Sequence, residues 1–328
     1  MGKIIIEGKG LAGTCLAWRL WQLGISFCLQ GEEKKGASRV AAGFINPVTG
    51  KGMNPGWQQE TFLTEAKEFY RDIESLLGEK VFYEESIHRV FRGPEEAKKL
   101  LQKREVLSPW IGREWSEVPD VPGGEWGGVE WVGGGWLDTK RFLDASWSFL
   151  AASSIGGSVE DLTVWCGGYY DMEMSFWKPL QARPAKGEIL EIYVRDWNES
   201  RILNRNGWCL PLGRNRYRVG ATYEWDQLDE EPTKQGREAL LALARTFAGE
   251  RAIEVLSHEA AVRPIIRNSR PLIGAHPTRK GDFFFNGLGS KGSLYAPLTA
   301  DYLAAYILER EPISPDLDVA VWVEEKRK

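Results

Sequence analysis

A glycine-rich turn between an apolar strand and a helix is the sequence feature that most constrains how these 328 residues can fold. A run of isoleucines at residues 3–7 predicts a buried strand, and leucines at helical spacing over residues 11–23 predict a helix. The turn between them reads G-K-G-L-A-G, at residues 8–13, and a second apolar strand is predicted at residues 25–30. Strands connected through a helix in this way run parallel with a right-handed crossover, so the chain begins as a β-α-β unit of an α/β fold.

Each glycine of this turn has a separate physical role. Gly8 permits the tight turn, Gly10 lets a pyrophosphate approach the backbone, and Gly13 allows the helix to pack closely on the strand. The free amides and the dipole at the start of the helix face the anion, so the pattern predicts a dinucleotide site. Gln30 ends the second strand, where an acidic residue ordinarily binds the ribose, and its amide can still hydrogen-bond hydroxyls.

Composition excludes several classes of protein. Hydrophobic residues make up 43% and charged residues 27%, which is typical of a globular chain and excludes fibrous repeats and wholesale disorder. The net charge is −4 without a block of basic residues, so a nucleic-acid or membrane partner is not expected. The four cysteines are scattered and the three histidines lack metal-type spacing, so we expect reduced core thiols, no metal site and a cytoplasmic location. The sequence leaves the oligomeric state open.

The rest of the chain predicts helices and strands separated by turns. Asp138 is the predicted N-cap of a helix, and the acidic residues at 229–232 are predicted to form a solvated loop. A region at residues 81–136 is strand-like and rich in turns. The predicted helices cover residues 58–77, 138–150, 234–248 and 293–308, and the predicted strands cover residues 162–166, 188–194, 207–212, 217–222 and 283–285.

Seven groups of motifs, in order along the chain, resemble those of one enzyme family. They read G-K-G-L-A-G at residues 8–13, G-A-S-R-V-A-A-G at 36–43, N-P-V-T-G at 46–50, G-G-W-L-D at 134–138, V-G-A-T at 219–222, V-R-P with R-P-L-I-G at 262–274, and G-L-G-S-K-G with A-P at 287–297. In this order and spacing the whole chain resembles the FAD-dependent D-amino-acid oxidase superfamily. The resemblance is strongest to its glycine oxidase-like branch and to the oxidase domain of the bifunctional tRNA 5-methylaminomethyluridine-modifying protein.

The resemblance implies an α/β fold with two domains. One is a Rossmann-type FAD-binding domain, and the other is an α+β substrate domain built on an antiparallel sheet. The implied FAD-binding domain is discontinuous and comprises residues 1–50, 137–182 and 260–328, and the implied substrate-binding domain comprises residues 51–136 and 183–259.

The resemblance also implies how an extended FAD is held. Its pyrophosphate lies at Gly10, Leu11 and Ala12, and the small residues at 38–43 leave room for a flat ring beside the backbone. Lys291 and the start of the last helix face the flavin edge where negative charge gathers on reduction. The segment 151–161 is shorter than the family's strand pair there, so a trimmed member that retains FAD is expected. The implied cofactor contacts are Gly8, Gly10, Leu11, Ala12, Gly13, Gln30, Ser38, Arg39, Ala41, Ala42, Gly43, Gly287, Gly289, Ser290, Lys291, Gly292 and Ser293.

Arg263 matches the arginine that holds the substrate carboxylate in glycine oxidase-like enzymes, a role that suits a planar bidentate donor. The alternative is a structural arginine paired with an acid. Trp208 and Ser290 stand where glycine oxidase has an aromatic hydroxyl and a second arginine, so a glycine-like substrate does not follow. Tyr223 and Asn46 are further candidate substrate contacts.

The implied activity is FAD-dependent oxidation of the C–N bond of a small amine or amino acid. A hydride passes from the α-carbon to flavin N5, the resulting imine hydrolyses, and oxygen is the expected acceptor. Arg263 and Lys291 are the expected catalytic residues. A dehydrogenase with another acceptor, a tRNA wobble-uridine-modifying oxidase and a non-catalytic flavin-binding protein stay open as alternatives.

Overall fold

Eighteen strands lie within the residues that the structure, a computed structural model, describes: 4–31, 36–153, 162–177, 180, 182–266 and 270–324. Most of the trimmed segment 151–161 falls outside these residues. The strands are β1 (Ile4–Glu7), β2 (Phe27–Gln30), β3 (Phe44–Ile45), β4 (Val48–Thr49), β5 (Asn54–Pro55), β6 (Phe82–Tyr83), β7 (Ile87–Val90), β8 (Ile111–Trp115), β9 (Gly128–Trp131), β10 (Gly135–Leu137), β11 (Leu162–Trp165), β12 (Ala185–Val194), β13 (Ile202–Asn204), β14 (Trp208–Gly213), β15 (Arg216–Gly220), β16 (Ile253–Arg263), β17 (Leu272–Ala275) and β18 (Asp282–Asn286).

The five predicted helices begin and end close to their predicted positions, whereas the region 81–136, predicted to be strand-like, also contains the helices Pro94–Gln102 and Arg104–Leu107. The carboxylate of Asp138 accepts a hydrogen bond from the amide of Arg141 at 3.2 Å, which confirms the predicted N-cap. Two short 3-10 turns cover Ser108–Trp110 and Gly124–Trp126. The α-helices are α1 (Leu11–Gln22), α2 (Gly36–Val40), α3 (Gln59–Leu77), α4 (Pro94–Gln102), α5 (Arg104–Leu107), α6 (Thr139–Ser153), α7 (Tyr169–Met172), α8 (Lys234–Ala248), α9 (Gly292–Ile307) and α10 (Val319–Glu324).

A five-stranded sheet forms the nucleotide-binding layer, in the order β17-β18-β11-β1-β2. β1 pairs in parallel with both β2 and β11, and β17 is the antiparallel edge. The predicted β-α-β unit and the α/β fold are therefore confirmed. The helices α1, α3, α6 and α9 bury apolar side chains in one core with β1. The indole of Trp18 in this core donates to the hydroxyl of Ser146 at 2.9 Å, which satisfies its only polar group.

An eight-stranded sheet forms the second layer, in the order β16-β12-β15-β14-β13-β7-β9-β8. Its strand pairs are antiparallel except for β7 and β13, which run parallel, so the prediction of a purely antiparallel sheet needs this correction. The two parallel strands come from distant parts of the chain, and no local turn constrains their direction. Apolar residues of α8 pack on one face of the sheet, against β12 and β15. The opposite face is free to line a cavity.

Two features of the packing cross the predicted domain boundaries. Side chains of α3, including Phe62, Phe69 and Ile73, lie in the core of the nucleotide-binding layer, although the division placed this helix in the substrate-binding domain. β16 continues through residue 260 without interruption and pairs with β12 as far as Arg263. An amphipathic helix follows whichever sheet covers its apolar face, and chain order does not report this choice. The two-domain division stays a prediction.

The acidic loop at residues 229–232 is not simply solvated. Asp229 accepts a hydrogen bond from the ammonium of Lys186 at 2.5 Å, and the carbonyl of Glu231 accepts a second one. The Lys186 side chain is only 1% exposed, so the loop supplies the counter-ion and acceptor of a buried cation. The Asp229 side chain is still 41% exposed, so the loop is solvated, as predicted, and also pairs with a buried cation.

The four cysteines all lie within the described residues and carry free thiols. Cys15, Cys166 and Cys209 are buried, as predicted for core thiols, whereas Cys28 is half-buried. Burial raises the pKa of the Cys15, Cys166 and Cys209 thiols above the usual value, so they are protonated and inert. No cluster of metal-binding side chains occurs in this part of the chain. None of its helices is both long and apolar enough to cross a membrane.

Candidate active site

A cavity of about 870 Å³ lies between the two sheets. The glycine turn after β1 and the short helix α2 line one part of it. The start of α9 and the free face of the eight-stranded sheet, including Gly187 and Ile189 of β12, line the rest. Clefts at the carboxyl ends of parallel strands are where α/β proteins bind nucleotides, and this cavity also reaches a second sheet.

The glycine turn has the close backbone packing that a dinucleotide needs. Gly8 has a φ of +122°, which non-glycine residues rarely adopt. A Cβ at Gly13 would lie 2.0 Å from the carbonyl oxygen of Gly8, so any side chain would push the helix away from the strand. Gly8 and Gly10 line the cavity, whereas Gly13 acts behind them through packing. The turn therefore fits the pyrophosphate of a dinucleotide.

Ser38 of α2 has a role that the sequence did not predict. Its hydroxyl accepts a hydrogen bond from the amide of Leu11 at 3.0 Å, and so caps the start of α1. The Leu11 amide was expected to face the pyrophosphate, and here it already has a partner. The adjacent amide of Ala12 has no hydrogen-bond partner within the described residues and lines the cavity, so it fits the anion better.

Arg39 and Trp147 form a wall near the nucleotide end. The Nη2 atom of Arg39 lies 2.6 Å from the carboxylate of Asp144, and its guanidinium lies 4.9 Å from the Trp147 ring centroid. The amine of Lys9 is 5.8 Å from the same ring. Sequence reasoning assigned Arg39 to the cofactor and missed Trp147, which comes from α6, more than one hundred residues further along the chain. The residues at 41–43 line the adjacent part of the cavity, as expected for the backbone beside a flat ring.

At the end of β1 the polar residue that lines the cavity is Glu7, not Gln30. Gln30 donates a hydrogen bond from its side-chain amide to the Glu7 carboxylate. Gln30 therefore orients an acid that lies one strand closer to the cavity. Its direct contact with the ribose stays a prediction. The acid that lines the cavity is on β1, just before the glycine turn, whereas the usual position for such an acid on β2 is occupied by Gln30.

Lys291 stands at the N-terminus of α9 and lines the cavity. Burial lowers the pKa of its ammonium, and no carboxylate pairs with it among the described residues. The helix dipole and the lysine together make this end of the cavity electropositive. Of the other implied contacts in the same turn, Gly287 lies behind the lining, where a Cβ would be 2.7 Å from Ile266. The lining residues of this turn are Gly289, Ser290, Lys291, Gly292 and Ser293.

Arg263, at the end of β16, is a half-buried cation without a carboxylate partner in the described part of the chain. Its Nη1 atom donates to the carbonyls of Lys186 at 3.3 Å and Thr222 at 3.2 Å. Desolvation lowers the pKa of the guanidinium. A Cβ at Gly187 would lie 2.0 Å from Nη2 of Arg263, so the glycine makes room for this side chain. The alternative of a structural arginine paired with an acid finds no support here.

The other predicted substrate contacts also line the cavity, but their settings differ. The Tyr223 ring lies 4.2 Å from the Arg263 guanidinium and is half exposed. Trp208 packs edge-on against Phe44 with ring centroids 5.0 Å apart. Asn46 accepts a hydrogen bond from the amide of Val48 at 3.1 Å, which stabilises a turn. All three remain candidate substrate contacts.

Tyr170 and Glu230 line the cavity and were not singled out from the sequence. Burial and a hydrogen bond to the Glu230 carboxylate raise the pKa of Tyr170 to about 12. Glu230 belongs to the acidic loop, so Tyr170 and Lys186 both contact this segment. The only sequence signal was the run of acids, which does not reveal its partners.

A dinucleotide turn and a second electropositive helix N-terminus in one cavity are typical of flavin-dependent oxidoreductases. The family model described as FAD dependent oxidoreductase, DAO, matches residues 150–306. That match spans just under half of the chain, and over those residues the chain is similar to the DAO family of FAD-dependent oxidoreductases.

Relatives support the assignment over different lengths. The glycine oxidase of Pseudomonas aeruginosa is 24% identical over 95% of this chain and 96% of its own. The glycine oxidase of Bacillus licheniformis is 30% identical over 131 residues, which span 34% of that protein. A tRNA 5-methylaminomethyl-2-thiouridine biosynthesis bifunctional protein of Marinobacter nauticus is 25% identical over 53% of this chain and 30% of its own.

Solved structures show the same fold. The glycine oxidase of Bacillus cereus superposes with a TM-score of 0.79, at 20% identity, over 95% of this chain and 96% of its own. An iminodiacetate oxidase from Chelativorans sp. superposes with a TM-score of 0.78, at 19% identity, over 95% of this chain and 97% of its own. The Rossmann-type layer and the second layer are thus arranged as in these oxidases.

Proposed function

We propose that this chain oxidises the C–N bond of a small amine or amino acid, with oxygen as the electron acceptor. FAD, held by the glycine turn and the start of α9, would supply the two-electron acceptor for this oxidation, and water would hydrolyse the imine product. The observation that supports the proposal is the setting of Arg263: it is half-buried, lines the cavity, and among the described residues it donates to carbonyls and has no carboxylate partner.

Arg263 would bind and orient the substrate carboxylate. A guanidinium donates two parallel hydrogen bonds to a carboxylate, and such charge-assisted bonds are about twice as strong as neutral ones. Its hydrogen bonds to the carbonyls of Lys186 and Thr222 hold it in place before the substrate arrives. An unpaired cation in a desolvated site favours an anionic ligand, which supports an amino acid over a simple amine.

Lys291 and the start of α9 would stabilise negative charge on the cofactor. Both line the cavity, and burial lowers the pKa of the lysine. A preorganised charge in a site of low dielectric is worth more than the same charge in water. In this scheme the substrate nitrogen enters neutral, and no histidine or carboxylate pair is needed for the transfer. The role of each cofactor contact stays a proposal.

The decisive experiment starts from the purified protein and its visible absorption spectrum. We expect released FAD in a 1:1 ratio to the chain, followed by oxygen consumption and peroxide formation with a panel of glycine, N-alkylglycines and D-amino acids. If a substrate bleaches the flavin under anaerobic conditions but no peroxide forms in air, the protein is a dehydrogenase and not an oxidase. A chain that binds FAD while no amine on the panel bleaches it would contradict the proposed activity.

A tRNA-modifying oxidase is the second candidate, because the bifunctional tRNA-modifying proteins are among the relatives. The net charge of −4 disfavours it. An electrophoretic shift of tRNA by the holoprotein would support this candidate. The cytoplasmic location expected from the sequence likewise stays a prediction.

A further inference from the structure

The cavity has a second cationic end, which the proposed function does not use. Arg89, on β7, lines the cavity and is only 8% exposed. Its Nη2 atom donates to the carboxylate of Glu96 at 2.9 Å, and its Nη1 atom makes a long contact of 3.4 Å to the carbonyl of Gly50. The Nε atom is buried without a partner within the described residues. The hydrogen-bonding capacity of this buried guanidinium is therefore incompletely satisfied.

The charge around Arg89 is positive overall. Glu96 also accepts a hydrogen bond from Nε of Arg92 at 2.5 Å, so one carboxylate serves two guanidinium groups. Arg92 in turn donates to the side chain of Asn206 at 3.1 Å. We call Arg89, Arg92 and Glu96 the distal cluster. Its net charge of +1 favours an anion in the adjoining part of the cavity.

Polar side chains lie beside Arg89 on the cavity wall. Asn204 is directly opposite Arg89 in the parallel pairing of β13 with β7. Its side-chain amide has no hydrogen-bond partner in the described part of the chain, and it lines the cavity. Trp208 is opposite Asn204 in the next strand pair. Donors from two neighbouring strands thus face one region, with an aromatic wall on the side toward Arg263.

The distance along the sheet indicates the length of a ligand that reaches both ends. Arg263 is on β16 and Arg89 is on β7, five strands away in the order of the sheet. The residue of β16 that is level with Arg89 is Glu259, and Arg263 lies four residues further along that strand. At about 4.8 Å per strand and about 3.4 Å per residue, the two backbones are about 27 Å apart along a flat sheet. Both side chains shorten the gap because they extend into the cavity. A ligand the size of glycine reaches one arginine only, whereas an extended chain can reach both.

We propose that Arg89 and Asn204 form a distal subsite that binds a carboxylate at the far end of an extended substrate. This assignment rests on the proposed function and defines its substrate class. The substrate is an amino acid whose nitrogen carries an alkyl tail that ends in a second carboxylate. Arg263 binds the carboxylate next to the reacting carbon, and the distal subsite binds the other. The reaction at the C–N bond is unchanged, and the subsite contributes affinity and selectivity.

The test uses the FAD-loaded protein and a series of N-(carboxyalkyl)glycines, from the carboxymethyl to the carboxypentyl tail. Each compound is paired with the N-alkylglycine of the same length that lacks the tail carboxylate. The change in the flavin spectrum on titration reports binding, whether or not the amine is then oxidised. We expect the longer dicarboxylates to bind about tenfold or more tightly than their neutral partners, as for a hydrogen bond to a charged group.

Arg89→Gln should bring the ratio of the affinity for each dicarboxylate to the affinity for its neutral partner close to one. The matched control is Arg104→Gln, which breaks an exposed pair with Glu114 and does not line the cavity, and the preference should persist in it. Asn204→Asp keeps the Arg89–Glu96 pair, so it tests the subsite even if Arg89→Gln does not fold. The added carboxylate should remove the preference by repulsion and by accepting the free donors of Arg89.

The proposal is overturned if the wild-type protein does not prefer the longer dicarboxylates, or if both Arg89→Gln and Asn204→Asp retain the preference with normal FAD content. Failure of the proposed function has a different signature. In that case no amine bleaches the flavin under anaerobic conditions, while the spectral titrations still report the preference for dicarboxylates.

Discussion

The guanidinium of Arg263 lies 4.2 Å from the ring centroid of Tyr223, and its Nη1 atom donates to the carbonyl of Thr222, the residue just before that ring. One short segment after β15 therefore supplies both a cation–π contact and a backbone acceptor to the same arginine. The two contacts hold the side chain in the cavity without neutralising it. A ligand carboxylate is the partner that would complete its hydrogen bonding.

Arg263→Ala should weaken the use of amino acids far more than the use of amines that lack a carboxylate. The loss of a charge-assisted hydrogen bond costs about 1.5–3 kcal/mol, or about 10-fold to 150-fold in kcat/KM. Steady-state oxygen consumption with matched substrate pairs measures it. The control is Arg216→Ala, which removes an exposed arginine that pairs with Glu191 and does not line the cavity, and it should change kcat/KM little. An Arg263→Ala protein with unaltered ligand binding and activity would support the non-catalytic alternative.

Gly13→Ala should remove FAD binding and lower stability together. The new Cβ would lie 2.0 Å from the carbonyl oxygen of Gly8, which is a backbone atom, so the turn must open. Gly24→Ala is the control, because Gly24 has a positive φ of +69° but no atom within 4 Å of an added Cβ. This control should cost about 1 kcal/mol of stability and retain the cofactor. FAD content and the melting temperature separate the two variants, and a yellow Gly13→Ala protein would contradict the assigned role of the turn.

Lys291→Met should raise the melting temperature of the FAD-free protein at neutral pH. Burial lowers the pKa of Lys291 in the folded state below its unfolded value. Between these two pKa values the unfolded chain binds more protons, so wild-type stability rises with pH across that window. The advantage of the variant should therefore be largest below the folded-state pKa and should vanish above about 10.4, where the lysine is neutral in both states.

The same variant also distinguishes a functional lysine from a merely buried one. If Lys291 faces the reduced cofactor, Lys291→Met should lower the flavin reduction potential and should reduce the stabilisation that FAD gives to the fold. Spectroelectrochemical titration and melting curves with and without FAD measure the two effects. If the flavin reduction potential is unchanged, Lys291 does not stabilise negative charge on the reduced cofactor.

Asp229→Asn should lower the melting temperature by a few degrees, because the buried ammonium of Lys186 loses its counter-ion. The hydrogen bond from Lys186 lowers the pKa of Asp229 to about 2, so this contribution is complete above the unfolded pKa and is lost as the pH falls from about 4 toward 2. Wild type and variant should therefore converge at acid pH. Glu231→Gln is the control, since only the backbone carbonyl of Glu231 contacts Lys186. An equal fall in the melting temperature of this variant would show that the loop, and not the ion pair, stabilises the fold.

Features set by neighbouring residues were predictable from the sequence. The strand, glycine turn and helix at the N-terminus follow from apolar periodicity and from the glycine conformations that the turn requires. Asp138 caps α6 because a short acidic side chain reaches the amide three residues on. These relations act within a few residues, where the backbone itself brings the partners together.

The partners of the charged residues were decided by the tertiary structure alone. Arg39 pairs with Asp144, Lys186 with Asp229, and Arg89 lies opposite Asn204, pairs that are separated by tens to more than one hundred positions. The sequence determined that a dinucleotide turn opens the chain, and its motifs identified Arg263 and Lys291 as candidates. Only the fold decided which cations are neutralised and which face the cavity unpaired, because Coulomb energy and desolvation depend on distances in space and not along the chain.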